Sequence, residues 1–235
     1  MSKTLLITGA SKGIGAETAR KFWFDSNMYT TLVLVARESK EFTELTTLLN
    51  EENPNSKELI TFQIDLSDRE QTRDLVSNVV GKNLNIDLLI NNAGYTKPEP
   101  IQQISMSDWD ITLNVNLLSP FILIQGLLKR GNKFETIVNI ASTAGIKGRS
   151  GWLTYSVSKA AMINMSEVLR EELRIYDTRV ICLAPGRCAT GLRKTLAPDE
   201  DPTTIMQPND VAEVISMLAS DAGKFIDSEH IVVRL

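Results

Sequence analysis

Histidine and cysteine are scarce in this sequence, and their scarcity removes several kinds of site. The 235 residues include one histidine, His230, and two cysteines, Cys182 and Cys188. Two cysteines are too few for a disulfide framework, and their spacing matches neither a metal-binding nor a redox pair. A zinc site or a histidine-based triad would need further histidines. We therefore predict no metal site and two inert thiols.

Excess positive charge and long apolar runs are also missing. Lys and Arg number 25 against 29 Asp and Glu, and no basic cluster of the kind found in nucleic-acid-binding domains stands out. No run approaches the roughly 18 apolar residues that a membrane span needs. The first apolar run is too short, and too interrupted by Gly and Ser, for a signal peptide. We expect a cytoplasmic protein with neither a nucleic-acid nor a membrane partner.

Seven short apolar runs alternate with helical patterns along the chain. This alternation predicts βαβ units and a mostly parallel sheet, and near-continuous hydrophobicity suits strands covered on both faces. We predict a doubly wound α/β fold of the Rossmann type, a seven-stranded parallel sheet with helices on both faces, in one domain over residues 1–235. The runs lie at 4–8, 31–36, 59–64, 87–91, 136–141, 179–184 and 230–235.

The most irregular segment is 187–208, rich in Pro, Thr and Asp. We call it the flap. Loops of this length are often functional, so it is predicted to cover the substrate, although a plain surface loop would look the same.

Three glycines, Gly9, Gly13 and Gly15, punctuate "TGASKGIG" directly after the first apolar run, and a helical pattern follows. A strand, a glycine turn and a helix in this order supply free backbone N–H groups and a positive helix end, which bind a pyrophosphate. The spacing departs from the usual dinucleotide fingerprint, and a tight structural turn would use the same residues. The position between strand and helix favours phosphate binding.

The end of the second apolar run bears on the choice between NAD and NADP. An acidic residue there would bind the ribose 2′-hydroxyl of NAD, whereas an arginine accommodates the 2′-phosphate of NADP. Ala36 and Arg37 stand at this point, and Lys12 lies in the glycine turn. These cations favour NADP(H) over NAD(H), although Glu38 follows and either cation could be solvated.

Tyr155 and Lys159 stand four residues apart in "TYSVSKAAM", which has the pattern of an amphipathic helix. Side chains four apart share one helix face, so the ammonium could lower the pKa of the phenol from about 10 toward neutrality. Such a tyrosine could exchange a proton with a substrate oxygen. A half-buried tyrosine beside a solvated lysine fits the same spacing.

Four motifs in a fixed order decide between these alternatives. "TGASKGIG" near the start, "NNAG" at 91–94, Ser142 in "IASTAG" thirteen residues before Tyr155, and "YSVSK" make the sequence resemble the short-chain dehydrogenase/reductase family over almost the whole chain. Each motif is short, but their order and spacing together are very specific.

The resemblance implies a catalytic role for four residues. Tyr155 would be the general acid that gives a proton to a carbonyl oxygen, and Ser142 would hydrogen-bond the same oxygen. Lys159 would stabilise the tyrosinate and hold the nicotinamide ribose. Asn116 would link Lys159 to a water chain that resupplies the proton.

The resemblance also implies cofactor contacts. Asp65 and Leu66 would flank the adenine, Asn92 would tie neighbouring strands together, and Thr190 would bond the nicotinamide carboxamide. The predicted cofactor-binding residues are Gly9, Ser11, Lys12, Gly13, Ile14, Gly15, Arg37, Asp65, Leu66, Asn92, Ala93, Gly94, Tyr155, Lys159, Pro185, Gly186 and Thr190.

An apolar wall is predicted for the substrate side. The predicted pocket residues are Tyr95, Ala144, Ile146, Trp152 and Met206. Trp152 could equally pack under a loop or at a subunit contact. Lys147 and Arg149, in "GIKGRSG", could bind an anionic substrate, but a solvated loop is the plainer interpretation.

We therefore predict an NADP(H)-dependent enzyme that reduces a ketone or aldehyde. The short tail and the "GWLTY" sequence favour the carbonyl-reductase branch of the family over the acyl-carrier branch. The alternatives are a 3-oxoacyl-[acyl-carrier-protein] reductase and, from another class, a non-catalytic NADP-binding redox sensor. Family members pair through helices matching 108–128 and 155–173, so a homodimer or homotetramer is expected.

Overall fold

The computed structural model describes residues 3–53, 56–226, 228 and 230–235, and within them seven parallel strands form one sheet. The sheet order is β3-β2-β1-β4-β5-β6-β7. The first three strands are therefore added toward one edge of the sheet, and β4 to β7 are added on the other side of β1 toward the opposite edge. The strands are β1 (Lys3–Thr8), β2 (Tyr29–Ala36), β3 (Glu58–Gln63), β4 (Leu88–Asn91), β5 (Thr136–Ile140), β6 (Arg179–Pro185) and β7 (Ile231–Val233). The fold class predicted from the sequence is confirmed.

The central strands are apolar on both faces because helices cover both. In β1, Leu5 and Ile7 belong to one apolar core and Leu6 to the other, as the alternation of side chains along a strand requires. Strand β3 lies at the edge and is buried less completely. These two cores fix the sheet, and with it the positions of the loops that follow each strand.

Helices α1, α2 and α9 pack on one face of the sheet, and α3 and α5 pack on the other, where α7 also contributes a buried leucine. The helices are α1 (Gly13–Phe24), α2 (Lys40–Glu51), α3 (Arg69–Gly81), α4 (Met106–Leu113), α5 (Ser119–Lys129), α6 (Thr143–Ile146), α7 (Leu153–Leu173), α8 (Gly191–Leu196) and α9 (Pro208–Leu218). Serine or aspartate side chains cap several of their N-termini, for example Ser39 at α2 and Asp68 at α3.

Helices α4 and α5 are joined without a break by a π-helical turn, Asn114–Leu118. The resulting helix, Met106–Lys129, has 24 residues and a mean hydropathy of 1.6 over its most apolar window, of which 44% is buried inside the protein. Its length and composition would suit a membrane span, which the interrupted apolar runs of the sequence do not predict. A core helix passes the same test, so this is weak evidence for a membrane.

Candidate active site

A cleft of about 740 Å³ lies at the carboxyl ends of the strands, across the β1/β4 reversal. Segments that follow β1 to β6 line it, because all of these strands point the same way. Ligands bind at this kind of switch point in open α/β sheets.

The glycine turn after β1 brings backbone close to the cleft. Gly9 and Gly13 have positive φ values of 66° and 59°, which favour glycine. A Cβ on Gly9 would lie 2.7 Å from the Cα of Ala93, and one on Gly15 would lie 2.3 Å from the carbonyl oxygen of Gly9. A side chain at Gly9 would therefore push the turn away from the end of β4, and a side chain at Gly15 would push α1 away from the turn.

The N-terminus of α1 suits an anion. Its N-cap residue, Lys12, is extended and makes no side-chain capping hydrogen bond. The first N–H groups of the helix are thus left for a ligand, and the helix dipole favours a negative one. This open helix end, beside a turn that only glycine can adopt without strain, fits the pyrophosphate of a dinucleotide.

Polar bonds fix the turn against the end of β4. The Asn92 amide donates to the carbonyl oxygens of Thr8 at 3.0 Å and Gly9 at 3.1 Å. The Thr8 hydroxyl accepts from the backbone N–H groups of Asn92 and Ala93, both at 3.1 Å. The floor of the cleft is therefore held by hydrogen bonds between strands that lie far apart in the sequence.

The side of the cleft beyond β2 carries unpaired positive charge. Lys12 and Arg37 line it, and neither makes an ion pair within the described part of the chain. Ala36, Glu38 and Ser39 complete this wall.

Ser142, Tyr155 and Lys159 line the cleft together. Ser142 caps α6, and its Oγ accepts from the N–H of Ala144 at 3.1 Å, which leaves the hydroxyl hydrogen to donate elsewhere. On α7, Lys159 Nζ donates to the Ile140 carbonyl oxygen at 2.7 Å and lies 5.8 Å from the centroid of the Tyr155 ring. Gly145 lets α6 pack on the backbone of α7, since a Cβ there would lie 2.5 Å from the Lys159 carbonyl carbon.

Burial sets the protonation of the pair on α7. Desolvation raises the pKa of Tyr155 to about 12, although a hydrogen bond from Ser142 and the charge of Arg193 act in the opposite direction. Desolvation also lowers the pKa of Lys159 to about 8. The sequence predicts a tyrosine pKa lowered toward neutrality, and the structure differs because the loss of hydration outweighs the nearby charges. With this pKa, Tyr155 keeps its proton at neutral pH.

The family follows from the sequence as a whole. The family model described as short chain dehydrogenase matches residues 3–201. The chain belongs to the short chain dehydrogenase family.

Relatives and solved structures agree with this assignment. The 3-oxoacyl-[acyl-carrier-protein] reductase of Thermotoga maritima is 32% identical, over 97% of this chain and 95% of that protein. The (2S)-[(R)-hydroxy(phenyl)methyl]succinyl-CoA dehydrogenase subunit of Thauera aromatica is 28% identical, over 99% and 95%. The structure of 4-hydroxyisoleucine dehydrogenase complexed with NADH matches with a TM-score of 0.85 at 26% identity, over 99% of this chain and 97% of that one. This short chain dehydrogenase is therefore an oxidoreductase.

Most of the residues that the sequence predicts at the cofactor line the cleft of this short chain dehydrogenase, and Gly15 packs behind the turn instead. Asp65 Oδ1 is engaged by the N–H and hydroxyl of Ser67, and the Thr190 hydroxyl accepts from the N–H of Arg193 at 3.1 Å. The lining residues among those predicted are Gly9, Ser11, Lys12, Gly13, Ile14, Arg37, Asp65, Leu66, Asn92, Ala93, Gly94, Tyr155, Lys159, Pro185, Gly186 and Thr190.

Asn116 lies behind the cleft in the π-helical turn and is fully buried. Its amide oxygen accepts from the N–H of Tyr95 at 2.8 Å, and its amide nitrogen donates to the Tyr95 carbonyl oxygen at 3.0 Å and to Ser158 Oγ at 2.9 Å. Ser158 in turn donates to the carbonyl oxygen of Tyr155 at 2.8 Å. The asparagine thus ties the loop after β4 to α7.

The predicted apolar substrate wall is only partly present. Tyr95 and Trp152 line the cleft. Ala144 and Met206 are buried, at 2% and 3% exposure, and Ile146 faces solvent at 48%. The structure places these three away from the cleft because α6 turns Ala144 inward and Ile146 outward, while Met206 joins the core beside Cys188.

The flap contains helix α8 and a short 3₁₀ turn, Pro202–Thr204, and its first part lines the cleft. Three arginines line the cleft near the flap and are absent from the substrate pocket predicted from the sequence: Arg149, Arg187 and Arg193. Of these, only Arg149 is suggested by the sequence, through its loop beside the motif that carries Ser142.

Proposed function

We propose that this short chain dehydrogenase uses NADPH to reduce a ketone or aldehyde to an alcohol. The observation that carries the proposal is a buried Tyr155, its pKa raised to about 12 by desolvation, on the same cleft wall as Ser142 and Lys159. In this proposal the Tyr155 hydroxyl donates its proton to the carbonyl oxygen, and the Ser142 hydroxyl donates a hydrogen bond to that oxygen. The Lys159 charge stabilises the tyrosinate that remains.

A nicotinamide cofactor supplies the hydride when it is bound. The glycine turn and the open end of α1 would hold its pyrophosphate, and Asp65 and Leu66 would hold its adenine. The cleft volume suits a dinucleotide together with a small substrate. The complex of 4-hydroxyisoleucine dehydrogenase with NADH supports a nicotinamide cofactor here.

The proposal is tested by following NADPH and NADH oxidation at 340 nm against diketones, quinones, aromatic aldehydes, a pterin and an acetoacetyl thioester. We expect turnover of at least one ketone or aldehyde. If NADPH binds but neither these carbonyls nor charged oxo acids and oxo phosphates are reduced, reduction is contradicted and the redox-sensor alternative takes its place.

Reduction of a 3-oxoacyl thioester is the second candidate. The relative from Thermotoga maritima, named for that reaction, supports it. Turnover of the acetoacetyl thioester alone would make this candidate the function and would remove the small-carbonyl proposal.

Reduction should weaken above pH 8. The reaction needs Lys159 charged, and its pKa is lowered to about 8. We expect kcat/KM to be level from about pH 6 to 7.5 and to fall through about pH 8 to 9. Lys159 itself makes unfolding less favourable as pH rises from 8 to 10.5, since the folded state then binds fewer protons than the unfolded state. Thermal unfolding at each pH is the control, and a flat rate profile to pH 10 would contradict the proposal.

Arg37 is proposed to select NADPH by contacting the 2′-phosphate. Replacing Arg37 with alanine should raise the KM for NADPH about tenfold or more, because a charge-assisted contact is lost, and should change the KM for NADH little. Arg130→Ala, an exposed arginine outside the cleft, is the matched control. An equal change for both cofactors would remove Arg37 from this role.

We also propose that the chain forms a homodimer through α5 and α7. Phe121, Val157 and Val168 leave an apolar surface on these helices, exposed by 43%, 39% and 49%. Phe121→Asp should give a monomer in sedimentation equilibrium, whereas Phe225→Asp, at an exposed site in a 3₁₀ turn, should not. Unchanged assembly in the first variant, or a need for detergent in the native protein, would count against this interface.

A further inference from the structure

Acidic side chains are confined to one end of the cleft. Arg149, Arg187 and Arg193 line its flap end, beyond β5 and β6. Glu38 and Asp65 are the acidic side chains among the described lining residues, and they lie at the opposite end, beyond β2 and β3, where Lys12 and Arg37 offset their charge. The part of the cleft next to Tyr155 and Ser142 is therefore positive in a chain whose net charge is -4.

One carboxylate, that of Glu200, contacts two of the three arginines. Glu200 accepts from Arg193 at 2.5 and 2.6 Å, a bidentate pair that neutralises this guanidinium. Glu200 also contacts Arg187, but at 3.4 Å, and the Arg187 side chain is 56% exposed. Arg149 has no carboxylate partner within the described part of the chain. The flap end thus keeps a net positive charge.

The indole ring of Trp152 orients the Arg149 guanidinium and leaves the hydrogen-bond donors of that guanidinium free. The Arg149 guanidinium carbon lies 5.3 Å from the centroid of the indole ring, and that of Arg193 lies 5.5 Å from it. A cation–π contact holds a guanidinium in place while its N–H groups stay available. Arg149 is consequently positioned to form a bidentate contact with a planar or tetrahedral anion.

A second cavity of about 400 Å³ adjoins the cleft, and we call it the basic annex. It shares Thr143, Arg149, Gly186 and Arg187 with the cleft and adds Ile205, Arg234 and Leu235. Thr143 directly follows Ser142, so the annex begins beside the group proposed to hold the substrate oxygen. No acidic side chain of the described residues lines it.

We propose that the carbonyl substrate carries an oxyanion, a carboxylate or a phosphoryl group, which Arg149 and Arg187 bind in the basic annex. This inference rests on the proposed function, because the carbonyl itself would lie at Tyr155. The predicted apolar wall is thereby replaced by an anion-binding site, in which Trp152 serves chiefly to orient the Arg149 guanidinium. Positive charge at the mouth of a cleft also speeds the arrival of an anionic ligand.

The test measures binding to the protein loaded with NADP⁺. Isothermal titration compares 4-oxopentanoate, 5-oxohexanoate and 6-oxoheptanoate with their methyl esters, and with 4-oxopentyl phosphate. At least one oxo acid or the phosphate should bind about tenfold or more tightly than the neutral ester, as expected for a charge-assisted contact. Arg149→Gln should reduce that difference below about threefold, Arg149→Lys should keep part of it, and Arg130→Gln should leave it unchanged. Whichever anion binds more tightly, the carboxylate or the phosphate, identifies the charged group of the substrate.

Equal dissociation constants for acids, phosphate and esters in the native protein would overturn the inference, as would an anion preference that survives Arg149→Gln. NADPH oxidation by the same compounds separates this failure from failure of the proposed function. Equal reduction of acids and esters would keep carbonyl reduction and remove the anion site. Selective, Arg149-dependent binding without any turnover would keep the anion site and remove the reduction.

Discussion

Replacing Tyr155 with phenylalanine should lower kcat for carbonyl reduction by about 10²- to 10⁴-fold, the range that a positioned general acid contributes. The hydroxyl keeps its proton at neutral pH because its pKa is raised to about 12, which suits the proton donor that we propose beside Ser142. Phenylalanine fills the same space at this buried position, which is 6% exposed, and preserves the packing of α7. The measurement compares kcat of the variant and the native protein with the carbonyl compound that the native protein reduces fastest.

The dissociation constant for NADPH separates catalysis from structure in this variant. It should stay within about threefold of the native value, because Lys159 and the glycine turn are unchanged. Tyr176→Phe, at an exposed site after α7, is the matched control and should behave as the native protein does. Activity within tenfold of native for Tyr155→Phe would refute the proposed mechanism, and loss of NADPH binding would make Tyr155 chiefly a cofactor-binding residue instead.

Replacing Gly9 with alanine should weaken NADPH binding by about 100-fold or more and destabilise the fold by about 2–5 kcal/mol. Left-handed backbone costs a residue with a Cβ about 1–2 kcal/mol, and overpacking adds about 1–3 kcal/mol. The added Cβ would meet the Cα of Ala93 at 2.7 Å, and neither backbone can yield without opening the cleft floor. Fluorescence titration with NADPH and urea unfolding measure the two effects.

Gly131 supplies the matched control for that substitution. Its φ is +86°, and a Cβ there would meet nothing within 4 Å. Gly131→Ala should therefore show the backbone cost alone, about 1–2 kcal/mol, with native NADPH affinity. If Gly9→Ala behaved like Gly131→Ala, close approach of the turn to β4 would not be what positions the cofactor.

The strands are predictable from the sequence because each is one short apolar run, which helices must cover on both faces of the sheet. Parallel pairing then places the ends of β1 and β4 side by side, so motifs that are distant in sequence, such as those with Gly9 and Asn92, meet without further information. The same reasoning brings Ser142 and Tyr155 into one cleft wall. The cofactor side of the site is thus largely contained in the motifs.

The substrate side is not predictable in this way, because it depends on where side chains point within irregular segments. Ile146 and Met206 have apolar side chains near the right motifs, yet one faces solvent and the other lies in the core. Arg193 approaches Trp152 from the flap, 41 residues along the chain, and no periodicity links them. The raised pKa of Tyr155 is a consequence of burial, which spacing alone does not reveal.

The sheet order has a consequence for synthesis of the chain. Strand β1 can pair with β4 only after the fourth strand has left the ribosome, since Leu5 aligns with Leu88. From β4 onward, each new strand adds to the outer edge in the order of translation. The growing sheet therefore presents an unpaired, strongly apolar edge that moves from β4 to β5 to β6, and such edges invite association with other chains. Nascent chains that stall before β7 should therefore need a chaperone.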